Sequence, residues 1–168
     1  MKYVHGVTVG RYRPYHNGHL FLHREMLNKC DKITILLGSS QEEDTLENPF
    51  TTEEVKEMIL NCWSEEAHRI TISPIEDINN FELWSDYVLS KVAGKVDAYF
   101  CGSEEDASPF KQRDDLDLII IDRFKSSESF DFKSGTEIRE MIYNNNRECL
   151  KYIPKQNERF IRRMFPPI

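Results

Sequence analysis

Gly10-Arg11-Tyr12-Arg13-Pro14-Tyr15-His16-Asn17-Gly18-His19 is the stretch on which the reading of this chain turns. It follows directly on an apolar run, residues 4–9, and stands directly before a segment with helical spacing. Two histidines three residues apart, with a glycine between them, at a strand-to-helix turn predict a phosphate site. Unpaired N–H groups at a helix start attract anions, and the helix dipole adds to that pull. Gly10 opens the turn and Gly18 lets a phosphate come close to the backbone. His16 and His19 can donate ring N–H bonds to it, and Arg11 adds a fixed charge whose fork suits phosphate oxygens. The other histidines, His5, His23 and His68, lack this context and read as ordinary hydrogen-bonded side chains.

Outward from this turn, strands and helices alternate. Residues 4–9, 32–37, 69–73, 97–101 and 116–121 read as short, unbroken apolar strands. Between them lie helical patterns over residues 19–29, from Thr52 onward, over 81–92 and over 135–143. Thr52 and Ser134 are the expected N-caps, with acids following each. Residues 39–51 form a polar loop, and 122–133 a charged, serine-rich one that includes the low-complexity patch Lys125-Ser126-Ser127-Glu128-Ser129. The tail, about 154–164, reads as a short basic helix. The expected fold is α/β: a Rossmann-like, doubly wound parallel sheet of about five strands with a short C-terminal helical part. Such sheets bind ligands beyond the carboxyl ends of their strands, where the strand order reverses, and each motif falls at a strand end.

The 168 residues suit one domain spanning 1–168, long enough to bury a core. With 29 acidic and 22 basic residues the net charge is −7, which argues against sequence-independent nucleic-acid binding. Cys30, Cys62, Cys101 and Cys149 are too widely spaced for a zinc site or a disulfide framework and read as free thiols of a cytoplasmic protein. No signal peptide is visible, and no apolar run reaches membrane-spanning length.

Three further blocks accompany the His-Asn-Gly-His turn. They are Gly38-Ser39-Ser40-Gln41 with Thr45-Leu46-Glu47-Asn48-Pro49-Phe50-Thr51, then Pro74-Ile75-Glu76-Asp77-Ile78 with Trp84 downstream, then Ser134-Gly135-Thr136-Glu137-Ile138-Arg139. In this order, the four blocks resemble the nucleotidyltransferase superfamily, and within it the archaeal-type nicotinamide-mononucleotide adenylyltransferases, from about residue 3 to residue 145. That resemblance implies transfer of AMP from ATP to nicotinamide mononucleotide, giving NAD and pyrophosphate. His16, His19, Arg11 and Arg139 would be catalytic. Gly10, Gly18, Ser134 and Thr136 would hold the ATP phosphates, and Gly102 and Ser103 would face the adenosine. Trp84 would stack on the nicotinamide ring; Asn48 and Arg13 would serve the mononucleotide. It also implies Mg²⁺ held mainly by ATP phosphates, with no dedicated protein metal site, and a homo-oligomer.

The chain departs from the family pattern at three positions, and its loop before Ser134 is longer than usual. Arg13 stands where relatives usually carry Gln, Asp44 where His is common, and Glu53-Glu54-Val55 where many have Gly-Glu-Arg. The extra charge of Arg13 would offset the missing basic residue. A phosphate such as phosphopantetheine, the nicotinic acid mononucleotide, or a non-catalytic nucleotide sensor on the same fold are the alternatives. A class I aminoacyl-tRNA synthetase would need more chain, and no Nudix-like second part follows.

Overall fold

The computed structural model describes residues 2–43, 45–125 and 132–168; Asp44 and most of the serine-rich patch lie outside the described residues. Five parallel strands, β1 (Tyr3–Gly10), β2 (Cys30–Leu37), β3 (Ile70–Pro74), β4 (Ala98–Cys101) and β5 (Asp117–Ile120), form one sheet in the order β3-β2-β1-β4-β5. The chain winds outward from β1 through β2 to β3, then returns to the other side of β1 for β4 and β5. The reversal leaves a crevice beyond the carboxyl ends of β1 and β4, where Gly10 and Cys101 end their strands.

The helices are α1 (Asn17–Lys29), α2 (Thr52–Cys62), α3 (Phe81–Ser90), α4 (Glu104–Ala107), α5 (Gly135–Tyr143) and α6 (Glu158–Arg162). One core holds Met26 and Leu27 of α1, Val55 and Met58 of α2, and Ile138 and Ile142 of α5. A second gathers Val88 of α3, Ala107 of α4, Tyr99 and Phe110 on the other side. Tyr99 and Phe110 stack with centroids 3.6 Å apart. The strands are apolar because they are buried between two such layers, which is why they read as unbroken runs.

The sequence places most elements within two residues of where they stand, and the exceptions have local causes. α1 begins at Asn17 rather than His19, because His16 caps it. α2 is capped by Thr51, not Thr52: Thr51 Oγ1 accepts from Glu54 N while the Glu54 carboxylate accepts from Thr51 N, a capping box one residue earlier. The tail helix is shorter than expected. Lys155–Asn157 is a tight turn, and only Glu158–Arg162 is α-helical. The buried Asn157 amide there donates to Met58 O, tying the tail to α2.

Close packing around β1 makes Gly6 obligatory. A Cβ there would lie 2.7 Å from Cys30 Sγ and 2.9 Å from the Phe100 ring. Gly6→Ala is therefore expected to destabilise the fold by about 1–3 kcal/mol, read as a lower urea midpoint. An unchanged midpoint would mean that Cys30 and Phe100 yield without cost.

Candidate active site

The start of α1 is closed by two histidines. His16 Nδ1 accepts from Gly18 N at 3.1 Å, and His19 Nδ1 accepts from His16 N at 3.2 Å. An Nδ1 that accepts carries no hydrogen, so in each neutral ring the hydrogen sits on Nε2. The rings stack with centroids 3.6 Å apart. Burial pushes both well below the ordinary histidine value, and the charges of Arg123 and Arg139 push the same way. The result is two neutral imidazoles whose Nε2–H groups are donors, with the tautomer fixed by the backbone.

A buried relay stands behind them. Trp63 Nε1–H donates to Tyr15 OH at 2.9 Å, and the Tyr15 hydroxyl shares a hydrogen bond with His23 Nδ1 at 2.9 Å. His23 Nε2 shares a second hydrogen bond with Tyr12 OH at 3.2 Å. Burial pushes His23 down to about 3, which keeps it neutral. Tyr12 meets the His19 ring edge-on at 4.7 Å, and Tyr15 lies stacked at 5.7 Å. Tyr12 takes a left-handed φ of 57° to bring its ring there. None of Tyr12, Tyr15, Trp63 or His23 is marked in the sequence as part of a site; the apolar spacing of Trp63 and the tyrosines is that of ordinary core.

Two cavities open at the crevice. The larger, about 800 Å³, is lined by Arg11, Asp77, Phe81, Trp84 and Glu105 among others. The smaller, about 330 Å³, is lined by Gly18, His19, Gly102, Ser103 and Arg123 among others. Val9, Gly10 and Asp106 belong to both, so the cavities meet over the end of β1. Arg11 and Trp84 thus stand together on one side, and His19, Gly18, Gly102 and Ser103 on the other. Cys101 also lines the smaller cavity, but burial pushes its thiol up to about 11, so it stays protonated.

Ser134, Thr136 and Arg139 line neither of these two cavities; Arg139 stands near enough to His16 to lower its proton affinity. Ser134 Oγ caps α5 by accepting from Glu137 N, as its sequence position predicts. Arg139 donates to Arg13 O at 3.0 Å and to Thr136 Oγ1 at 3.2 Å. His16 Nε2 lies 4.0 Å from where a Gly135 Cβ would stand, so the first turn of α5 faces the histidine pair.

Two expected mononucleotide ligands are corrected. Arg13 is 1% exposed and donates to the carbonyls of Phe50, Gly38 and Ser39 and to Thr52 Oγ1. A guanidinium cut off from water must end on protein acceptors, so its charge is not free to offset a missing basic residue at the substrate. Arg13 instead clasps the loop after β2 to the start of α2. Asn48 is 0% exposed, and its amide donates to Glu42 Oε2 at 3.0 Å. It shapes that loop from within and does not line either cavity.

The space over Gly18 also differs from expectation. A Cβ on Gly18 would lie 2.4 Å from Arg123 Nη1, so the guanidinium of Arg123 rests where a phosphate was expected to approach the backbone. The sequence reading leaves Arg123 in a charged loop. Its one signal is position, two residues beyond the end of an apolar strand, as with the other motifs.

The donor set is rich in N–H groups and contains, among the described residues, no cluster of three His, Cys, Asp or Glu able to hold a metal ion. A divalent cation here would take its ligands from phosphate oxygens and water. Among the described residues no helix is long and apolar enough to cross a membrane, and all four cysteines are free.

Residues 7–150 match the family model described as cytidylyltransferase-like. The chain is 35% identical over 159 residues to the nicotinamide-nucleotide adenylyltransferase of Thermococcus onnurineus, covering 94% of this chain and 81% of that one. To the nicotinamide-nucleotide adenylyltransferase of Pyrococcus furiosus it is 34% identical over 162 residues, covering 94% and 82%. Among solved structures it resembles a bifunctional NMN adenylyltransferase/ADP ribose pyrophosphatase from Francisella tularensis, with TM-score 0.65 and 25% identity. That likeness covers 92% of this chain and 44% of the other, so this chain spans under half of the bifunctional protein. A further structure of that bifunctional protein is complexed with AMP and a manganese ion.

The buried neutral rings make stability depend on pH. Unfolded histidine takes up protons below about pH 6.5, whereas folded His16, His19 and His23 resist them, so stability is full above that value and falls as pH drops. His23 alone, with its folded value at about 3, is expected to remove about 2 kcal/mol between pH 7 and pH 5. Urea titrations at the two pH values check this, and His23→Gln should flatten the slope. An equal slope in the variant would remove His23 from the relay.

Proposed function

The chain belongs to the cytidylyltransferase-like family, and on that premise we infer that it is a nicotinamide-nucleotide adenylyltransferase. It joins the AMP part of ATP to nicotinamide mononucleotide and releases pyrophosphate. The observation that carries this reading is the pair of fixed, neutral Nε2–H donors beside the place where two cavities meet. The similarity to archaeal adenylyltransferases supports it along most of the chain.

ATP occupies the smaller cavity, its adenosine against Gly102 and Ser103. The mononucleotide occupies the larger, its ring against Trp84 and its phosphate toward Arg11. Over Gly10 an oxygen of that phosphate attacks the α-phosphorus of ATP. A new P–O bond forms, the bond to the β-phosphate oxygen breaks, and pyrophosphate leaves with the electron pair. The attacking phosphate is already ionised at neutral pH, so no general base is needed. Catalysis is alignment plus stabilisation of charge on the transferring group and the leaving pyrophosphate. His19 donates to the α-phosphate as that charge grows. His16, the first turn of α5, Thr136 and Arg139 hold the phosphates beyond it. Mg²⁺, bound chiefly by those phosphates, would neutralise part of the charge.

The acids on the larger cavity favour the nicotinamide form over the nicotinic acid form. Asp77, Glu105 and Asp106 suit a cationic pyridinium with a neutral amide and oppose an added carboxylate. A cytoplasmic location, resting on four free thiols, and a homo-oligomer, resting on the resemblance alone, belong to the same reading.

The decisive experiment mixes purified protein with Mg²⁺, ATP and either mononucleotide, and reads dinucleotide by mass. NAD formed in excess of the nicotinic acid product is expected. ATP binding without either dinucleotide would overturn the reading in favour of a sensor. His19→Ala should lower turnover by roughly 10²–10³-fold, the scale for one preorganised donor. Trp84→Ala should raise KM for the mononucleotide and leave that for ATP alone; unchanged mononucleotide KM would return Trp84 to the core.

A further inference from the structure

We propose that Arg123 is a further catalytic residue of this site, contacting the polyphosphate of ATP from the loop that follows β5. The proposal rests on the adenylyl-transfer reading for its chemistry, and on the following geometry for its place.

Arg123 lines the smaller cavity together with Gly18, His19, Gly102 and Ser103. Its guanidinium lies flat on the α1 turn: Nη1 and Cζ come within 2.4 and 2.9 Å of a notional Gly18 Cβ, so any side chain at 18 would push it off. The guanidinium is half-buried, yet it makes no ion pair or hydrogen bond with the described residues; Glu137 and Asp122 act on it only through space. Its packing partner is the Phe124 ring, 4.9 Å away. A buried arginine ordinarily ends on a carboxylate or a set of carbonyls, as Arg13 does. Arg123 instead faces the cavity that His19 also lines, so the guanidinium and the His19 Nε2–H donor share one space. The acceptors on that wall, Ser103 and Asp106, are bonded to each other. A polyphosphate supplies what is missing, since its oxygens can accept from Arg123, His19 and the helix start at once. The planar fork, held against Phe124, is suited to two oxygens of one phosphate or of two neighbours. Arg123 also lowers the proton affinity of both His16 and His19, which keeps them as neutral donors until an anion arrives.

The test compares wild-type protein with Arg123→Ala and Arg123→Lys by calorimetric titration with Mg²⁺–ATP and with adenosine. Thermal unfolding of each variant is recorded alongside. In Arg123→Ala, ATP affinity and kcat/KM for ATP should fall by about 10²-fold, while adenosine affinity and KM for nicotinamide mononucleotide stay unchanged. Arg123→Lys should recover only part of the loss, because an ammonium lacks the fork. Unchanged ATP affinity in Arg123→Ala would overturn the proposal. So would a parallel fall in adenosine affinity, which would make Arg123 a piece of cavity wall. Because titration reads ATP without any product, wild-type protein that binds ATP but makes no dinucleotide would sink the reaction and leave this contact standing.

Discussion

Two backbone N–H groups at the beginning of α1 end on histidine Nδ1 atoms, and the chemistry of the site follows from that arrangement. Serine or aspartate at the same cap would satisfy those N–H groups equally well. It would not leave a second nitrogen, with its hydrogen, on the far side of a ring. Here the cap chooses the tautomer, burial keeps the ring uncharged, and stacking of the pair holds both planes nearly parallel. The buried Trp63–Tyr15–His23–Tyr12 chain of hydrogen bonds stands directly behind the pair and holds the rings that pack on His19.

A site made of donors suits a reaction whose nucleophile arrives ionised. Neither histidine can act as a base through Nδ1, since that atom is already engaged. What the protein supplies is a fixed field, built before the substrates arrive and therefore costing no reorganisation during transfer. The larger cavity adds the opposite sign. Asp77, Glu105 and Asp106 stand on its wall with Trp84, and Arg11 is the one arginine among its lining residues. A mononucleotide with a positive head and a negative tail matches that division of charge.

Much of this was legible in the sequence. Parallel strands sandwiched between helices must be apolar on both faces, so all five appear as short unbroken runs. Helix α5 could be bounded to the residue, because Ser134 is a common cap and an acid follows three residues later. The start of α1 was misplaced because histidine is an unusual cap, and the pair was read only for its outward chemistry. Arg13 and Asn48 misled for a related reason. Sequence shows that a residue is charged or polar but not which way it faces, and both turn inward to support a loop. Arg123 was passed over because its neighbour across space, Gly18, is more than a hundred residues earlier, and no local pattern records that meeting.

The Arg13 clasp has a consequence for how the two substrates sense each other. Its side chain ties the loop after β2 to α2, its carbonyl accepts from Arg139, and its backbone belongs to the turn that leads into His16. Three segments that reach toward the two cavities thus share a single buried residue and cannot shift independently. Free energy spent in ordering one of them is then no longer required by the others. A residue that lines neither cavity thereby makes one mechanical unit of the segments around both.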